Sequence, residues 1–195
     1  MWAATLLGVA VNAVAAAAVD RPPARSGAPN IVLVLTDDQD HFHGSNDTSL
    51  NAMPRAHALL AQQGGTFENF YVNTPVCCPS RSELFSGRLN HNIRMPTPAG
   101  GCMHMDSNSV EWQTNTVATG LQAVGYRTAL FGKYLNTHAW FCDAGVRVPP
   151  GWDRFFASCN GVYYYNTWND QGKMITNNSN LTGPMNAEGL SLIHF

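Results

Sequence analysis

The 195-residue sequence contains little charge. Asp, Glu, Lys and Arg together make up 12% of it, and the formal net charge is −2. No cluster of Lys and Arg forms a basic patch, which argues against nucleic acid or an anionic membrane as a partner. After the first 19 residues no apolar run is long enough to span a bilayer, so stable membrane insertion is not expected. The length suffices for one domain with a sizeable core.

The amino-terminal segment has the pattern of a secretory leader. Residues 1–19 are almost wholly apolar, with a long alanine tract, and a Pro/Arg/Gly-rich stretch follows. Small residues at Ala16 and Ala18 suit signal-peptidase cleavage. We therefore predict a signal peptide over 1–19 and a linker over 20–29. Because the leader lacks a basic start, an uncleaved anchor of marginal length is the alternative.

Three Asn-x-Ser/Thr sequons accompany the leader, at Asn46, Asn177 and Asn180. They are candidate N-glycosylation sites. Together with the leader they indicate the secretory pathway, with an extracellular or lysosomal destination.

An apolar, β-branched run extends from Asn30 to Thr36 and ends in two acidic residues, Asp37 and Asp38. The run does not alternate, so we predict a central parallel strand that is buried on both faces. Ligands of open α/β sheets bind beyond the carboxyl ends of strands. Adjacent carboxylates there are costly unless a cation neutralises them, and their oxygens suit Ca²⁺ or Mg²⁺. A solvated acidic loop is the alternative.

The stretch from Thr74 to Arg88 contains the sequence Cys-Cys-Pro-Ser-Arg, beginning at Cys77. Pro79 suits the first turn of a helix, and Gly87 is a typical helix stop. Cys77 is therefore predicted to lie just ahead of a helix N-terminus, where the backbone N–H groups favour negative charge. Arg81 lies one turn on and can reach back toward it. The alternative is a disulfide element, since Cys-Cys-Pro in a secreted chain is more often structural.

The remaining pattern indicates a βαβ arrangement. We predict helices over Met53–Gln63 and Asn115–Val124, and strands over Thr66–Val72 and Tyr126–Phe131. Lys133 follows the last of these strands. A lone lysine in that position is ordinarily a surface residue.

Two other clusters have ordinary explanations. His91, Cys102 and His104 match no structural zinc spacing, so we expect solvent-facing loop residues. The aromatic stretch Tyr163–Asn166 with Trp168 fits an edge strand or a surface that stacks on sugar rings, and packing is the more frequent role.

These motifs resemble the sulfatase family. Its signature is Cys-x-Pro-Ser-Arg, followed by a small residue, a glycine and a basic residue. The matching residues are Cys77, Pro79, Ser80, Arg81, Ser86, Gly87 and Arg88, with Ser86 where the family usually has Thr. The family also has an Asn-(apolar run)-Asp-Asp element, matched at Asp37 and Asp38, and a Gly-Lys pair, matched at Lys133. Agreement of several motifs in order outweighs the disulfide interpretation of the Cys77 stretch.

The resemblance implies an α/β fold of the alkaline-phosphatase-like sulfatase type, incomplete, over residues 30–182, with 183–195 unassigned. It implies that Cys77 is oxidised to formylglycine (3-oxoalanine) by the formylglycine-generating enzyme. Ca²⁺ would be held by Asp37, Asp38 and the modified Cys77. Arg81 and Lys133 would stabilise developing charge. Of the five cysteines, the other four allow two disulfides in three connectivities, which the sequence does not distinguish: Cys78, Cys102, Cys142 and Cys159.

The implied activity is hydrolysis of a sulfate ester on a carbohydrate or an aryl group. The Cys-Cys pair and the Gly-Lys-Tyr-Leu-Asn stretch resemble the branch that acts on N-acetylglucosamine and heparan sulfate. Many members carry a histidine two residues after the lysine, where this chain has Leu135, and the later metal ligands of the family are absent. The 195 residues alone are therefore expected to be inactive. The alternatives are a non-catalytic secreted fragment and a metal-dependent phosphodiesterase, which normally has a Ser or Thr nucleophile.

Overall fold

A mixed six-stranded β-sheet with flanking helices makes up the fold. The computed structural model describes residues 22–23, 27–39, 53–67, 69–93, 114–136, 142, 147–159, 167–176 and 190–194. The strands are β1 (Val32–Thr36), β2 (Ala129–Gly132), β3 (Arg154–Ser158), β4 (Thr167–Asp170), β5 (Lys173–Thr176) and β6 (Leu190–His194). The predicted α/β class is confirmed.

The strand order places β1 and β2 on either side of β6. The sheet runs β1-β6-β2-β3-β4-β5; β2 and β3 are parallel, and the other neighbouring pairs are antiparallel. Since β1 and β2 are both antiparallel to β6, they point in the same direction. Thr36 pairs with Leu190 and Gly132 pairs with Ser191, so β1 and β2 also end at the same edge of the sheet.

The described helices are short. α1 (Pro54–Ala56) continues into a π-helical segment (His57–Ala61), α2 spans Cys77–Ser86, a 3₁₀ turn spans Asn90–Asn92, and α3 spans Val117–Ala123. In α2, Pro79 lies in the first turn, where the backbone N–H groups have no intrahelical partner and the missing one costs nothing. Gly87 ends α2 in the left-handed conformation at φ 65°. The predicted helix and its end at Gly87 are therefore confirmed, but the helix begins at Cys77 itself, which was predicted to lie just ahead of it.

An aromatic cluster packs α2 onto the sheet. The ring of Phe85, which is fully buried, lies 4.8 Å from Tyr134 and 6.1 Å from Trp152, and Tyr134 lies 5.4 Å from Phe155. These contacts are tilted or edge-to-face, the geometry that aromatic pairs favour. Because Tyr134 directly follows Lys133, this packing fixes α2 against the segment that leaves β2.

The structure corrects two predicted strands. β1 was predicted to be buried on both faces, but it is an edge strand with alternating exposure, and Val32 is 60% exposed. A β-branched run predicts a strand without fixing which neighbours it has. The strand predicted over Thr66–Val72 is absent: the described residues there are coil or turn, and Phe67, Phe70 and Tyr71 are exposed. An apolar segment becomes a strand only where a partner strand satisfies its backbone.

The other element predictions differ mainly in their bounds. Helix Met53–Gln63 is found as α1 with its π-helical extension, Asn115–Val124 as α3, and Tyr126–Phe131 as β2. Trp168 lies in β4 and stacks on Phe156 at 4.7 Å, so its role is packing rather than sugar stacking. His91 is exposed.

Several predicted features lie outside the described residues. These are the leader 1–19, half of the linker, residues 183–189 and 195 of the unassigned tail, the three sequon asparagines, Cys102, His104 and Tyr163–Asn166. Within the described part of the chain, no helix has the length and apolar character needed to cross a bilayer.

Gly87 and Gly120 provide a matched test of how backbone conformation affects stability. Gly87 has a positive φ and Gly120 does not, and an added Cβ would meet nothing within 4 Å at either position. Gly87→Ala should therefore lower the free energy of unfolding by about 1 kcal/mol through strain alone. Gly120→Ala, inside α3, should raise it by about 0.5–1 kcal/mol because alanine loses less entropy. Urea denaturation of both variants measures the difference; effects of equal sign would contradict it.

Candidate active site

The carboxyl ends of β1 and β2 bring acidic and basic groups together. Asp37 and Asp38 follow β1, and Lys133 follows β2. With β6 between them, β1 and β2 are about 10 Å apart, a gap that the side chains of Lys133 and Asp37 span together. Lys133 Nζ lies 2.7 Å from Asp37 Oδ2.

Cys77 begins α2 and faces the same carboxylate. Its Sγ donates a hydrogen bond to Asp37 Oδ1 at 3.5 Å. One ligand atom from each of Asp37, Asp38 and Cys77 lies within 4.8 Å of the others, so these three side chains could hold a metal ion. Asp38 has a φ of 52°, a left-handed conformation that Asp tolerates better than most residues, and the chain turns sharply there.

Arg81 lies on the buried side of the cluster. Its side chain is 3% exposed; Nη1 donates to the backbone oxygen of Lys133 at 2.6 Å, and Nη2 lies 3.5 Å from Asp37 Oδ2. The guanidinium thus joins the two strand-end segments. A buried charge of this kind requires a partner, and Asp37 provides it.

Asp37, Lys133 and Arg81 each have a pKa shifted from its ordinary value, by burial and by the charges of the other groups. Burial acts to raise the pKa of Asp37, but the hydrogen bond and charge of Lys133, followed by the charge of Arg81, lower it below its ordinary value. Burial acts to lower the pKa of Lys133, and the hydrogen bond and charge of Asp37, with Cys77 adding to them, raise it. For Arg81, burial lowers the pKa more than Asp37 raises it. At neutral pH the cluster holds one carboxylate between two cations.

Comparison with known proteins identifies the family. A sequence model of one family, Sulfatase, matches residues 29–189. The chain belongs to the sulfatase family. This confirms the resemblance carried by the Cys77, Asp37 and Lys133 motifs. No solved structure shows a significant match.

Named sulfatases are among the relatives. The chain is 42% identical over 151 residues to "Extracellular sulfatase SULF-1 homolog" of Drosophila melanogaster, covering 75% of this chain and 12% of the relative. It is 36% identical over 143 residues to "N-acetylglucosamine-6-sulfatase" of Homo sapiens, covering 71% and 25%. It is 35% identical over 127 residues to "Arylsulfatase" of Volvox carteri, covering 64% and 19%. The chain thus spans between about an eighth and a quarter of these sulfatases.

The position where many sulfatases have a histidine belongs to the core in this one. Leu135 is buried in the same cluster as Phe85 and Tyr134. The next backbone N–H, of Asn136, donates to Cys78 Sγ at 3.3 Å. Leu135 therefore contributes packing.

The cysteines of the sulfatase chain divide into one free thiol and bonded partners. Among the described residues, Cys77 is free, while Cys142 and Cys159 form a disulfide. Cys78 is buried and disulfide-bonded as well. One pair from the connectivities that the sequence left open is thereby assigned.

Sequence reasoning missed Glu83, on the second turn of α2. Its Oε1 accepts hydrogen bonds from Asn73 Nδ2 at 3.0 Å, Thr74 Oγ1 at 2.9 Å and the Asn90 N–H at 2.6 Å. These partners come from the segments before and after the helix. Sequence patterns do not predict such a contact directly. The available signal is a carboxylate on a helix whose flanking segments contain Asn and Thr.

Proposed function

We propose that this chain carries the nucleophile-bearing part of a sulfuric ester hydrolase that uses a formylglycine derived from Cys77, together with Ca²⁺. One observation supports this above all. Cys77, Asp37, Asp38, Arg81 and Lys133 lie together at one edge of the sheet although they are distant in sequence. Family membership supplies the reaction class.

The donor set fits the proposed groups. Two carboxylates are hard oxygen ligands of the kind that Ca²⁺ prefers, whereas the sulfur of Cys77 is not. Conversion of Cys77 to a formylglycine hydrate would replace sulfur with oxygen and make all three side chains oxygen ligands. When bound, Ca²⁺ would polarise the sulfate oxygens and the hydrate would supply the attacking oxygen.

The remaining residues handle charge. We propose that Lys133 and Arg81 present two fixed cations beside Cys77 and stabilise the negative charge that develops on the sulfate group. The raised pKa of Lys133, which results from Asp37 despite the opposing effect of burial, keeps its ammonium charged at neutral pH. Asp37 holds both cations in place. The helix amino terminus at Cys77 adds favourable backbone dipoles.

The substrate class and cellular route follow from the relatives and the sequence. The relatives are named as an extracellular sulfatase, an N-acetylglucosamine-6-sulfatase and an arylsulfatase. We propose a sulfated carbohydrate or aryl sulfate ester as substrate. We also propose passage through the secretory pathway, with the formylglycine-generating enzyme as a partner and glycosylation at Asn46, Asn177 and Asn180.

Maturation of Cys77 is the direct test of the nucleophile. The chain is co-expressed with the formylglycine-generating enzyme, and the peptide containing Cys77 is examined by mass spectrometry. We expect an aldehyde in place of the Cys77 thiol and no such change at Cys78. Pro79→Ala and Arg81→Lys, which alter the signature, serve as controls and should reduce the conversion. A thiol retained at Cys77 in the unaltered chain would favour a non-catalytic secreted protein instead.

Calcium binding and turnover by the 195 residues alone should both be weak. Three ligating side chains cluster among the described residues, whereas Ca²⁺ prefers six to eight oxygen ligands. Calorimetry should therefore show no tight stoichiometric binding. The matured chain should give only background turnover of a chromogenic aryl sulfate and of 6-sulfated glucosamine. Turnover that disappears in Cys77→Ala would contradict the expected inactivity while supporting the sulfatase chemistry.

A further inference from the structure

We propose that Glu83 is a positioning residue that fixes the backbone leading into Cys77; the inference rests on the sulfatase function proposed above. Its Oε1 accepts all three of the hydrogen bonds from Asn73, Thr74 and Asn90. One carboxylate oxygen therefore ties the segment before α2 and the turn after it to the middle of the helix.

The amino terminus of α2 lacks a side-chain cap from the residue that precedes it. The residue before the helix, Val76, is extended and provides no side-chain cap. Helices ordinarily begin with Ser, Thr, Asp or Asn, whose oxygen binds a free N–H of the first turn. The backbone is instead ordered by the Val76 N–H bond to Thr74 O at 2.8 Å and the Ser80 N–H bond to Val76 O at 3.0 Å. Thr74 thus begins this turn and also donates a hydrogen bond to Glu83.

The contacts of Glu83 with the segment before α2 affect the position of Cys77. Cys77 is the first helical residue, and its Sγ must face Asp37 across the gap between α2 and β1. A shift of the Thr74–Val76 backbone would move the Cys77 Cα directly. Displacements of about 1 Å at a reacting group can cost on the order of 100-fold in rate. Glu83 therefore acts on Cys77 indirectly, through the Thr74–Val76 backbone that precedes it.

The charge of Glu83 is suited to this role. Burial acts to raise its pKa, but the hydrogen bonds from Asn73, from the Asn90 N–H and from Thr74 lower it. The carboxylate is therefore ionised at neutral pH, and its hydrogen bonds are charge-assisted. No cation is needed, since three donors converge on one oxygen.

Amide hydrogen exchange tests the proposal on the unmodified chain. In Glu83→Ala, exchange at Val76 and Ser80 should accelerate by about tenfold or more, because the segment before α2 loses its two hydrogen bonds to Glu83, from Asn73 and Thr74. In Glu83→Gln, which keeps an oxygen acceptor of the same shape, the acceleration should stay within about threefold. The ¹³Cβ shift of Cys77 should change in Glu83→Ala and be restored in Glu83→Gln.

Two controls separate positioning from general destabilisation. Leu84→Ala alters the next residue of α2, whose side chain is exposed, and should leave Val76 and Ser80 unchanged. The Gly120 N–H, bonded to Thr116 O in α3, should exchange at the same rate in every variant. If Glu83→Ala does not fold, Thr74→Val removes one donor and should still accelerate exchange at Val76 severalfold.

The proposal is overturned if exchange at Val76 and Ser80 is unchanged in Glu83→Ala, or in Thr74→Val where the alanine variant fails to fold. It is also overturned if Gly120 or the Leu84→Ala protein shows the same acceleration. All of these measurements use the thiol form and require no turnover. A chain that never acquires formylglycine would therefore contradict the sulfatase proposal while leaving this result interpretable.

Discussion

Asp37→Asn should lower the free energy of unfolding by about 3–5 kcal/mol, the cost of leaving buried charges without their partner. The Asp37 side chain is 11% exposed and lies between Lys133 and Arg81, the latter almost fully buried. Removing its charge leaves two cations facing each other in a desolvated site. Guanidinium chloride denaturation, with unchanged denaturant dependence, measures the loss.

Asp38→Asn is the matched control for Asp37→Asn. This substitution removes the same formal charge one residue later. The Asp38 side chain is exposed, however, and asparagine tolerates the left-handed backbone at that position. Its substitution should cost less than about 1 kcal/mol. Equal losses from the two variants would show that the Asp37 contacts do not stabilise the site.

The stability conferred by Asp37 should depend on pH in a defined direction. Burial acts to raise its pKa, but Lys133 and Arg81 lower the folded-state pKa below the ordinary value of 3.8. The folded chain therefore binds this proton more weakly than the unfolded chain does. The stabilisation is fully present above pH 3.8 and is lost as the pH falls through the folded-state pKa. Asp37→Asn should lack this part of the acid dependence.

Cys77→Ala should abolish sulfate-ester hydrolysis in whichever form of the protein catalyses it. Removal of the nucleophile from a covalent hydrolase costs about 10⁶-fold in turnover number. Since Cys77 is a free thiol that is only partly buried, the alanine variant should fold normally. The measurement is kcat with an aryl sulfate, paired with a thermal melt for each variant.

Cys78→Ala should show the reverse pattern. Cys78 is buried and disulfide-bonded, so its loss should cost about 2–5 kcal/mol in stability. Formylglycine should still form at Cys77, and the fraction that remains folded should retain activity. If both variants lost activity at unchanged stability, Cys78 would have to take part in the chemistry.

The sequence predicted those parts of the fold that depend on neighbouring residues. α2 follows from Pro79 and Gly87, whose backbone preferences act within one turn. The meeting of Asp37 and Lys133 follows from a topological rule, because both come directly after strands that point in the same direction. Their catalytic roles stay predictions.

The features that sequence reasoning did not predict depend on distant contacts. Within the described part of the chain, the Val- and Leu-rich β1 pairs on one side only, with β6 near residue 190, which makes it an edge strand. The aromatic segment around Phe70 has side chains typical of a strand but pairs with none in the described part of the chain. Leu135 belongs to the core through Tyr134 and Phe85, and the three partners of Glu83 come from outside its helix.

The pairing of β1 with β6 sets a time order for assembly of the site during translation. Asp37 leaves the ribosome about 150 residues before residues 190–194, the strand with which β1 pairs. About 110 residues separate Cys77 from that strand, which at roughly 5–20 residues per second is about 5–25 s of synthesis. Until that strand is made, β1 lacks the partner that it has in the folded chain, and we expect Asp37 not to be fixed against Lys133 and the thiol of Cys77 to stay accessible. A modifying enzyme that acts on the nascent chain would thus reach Cys77 before the surrounding charges close around it.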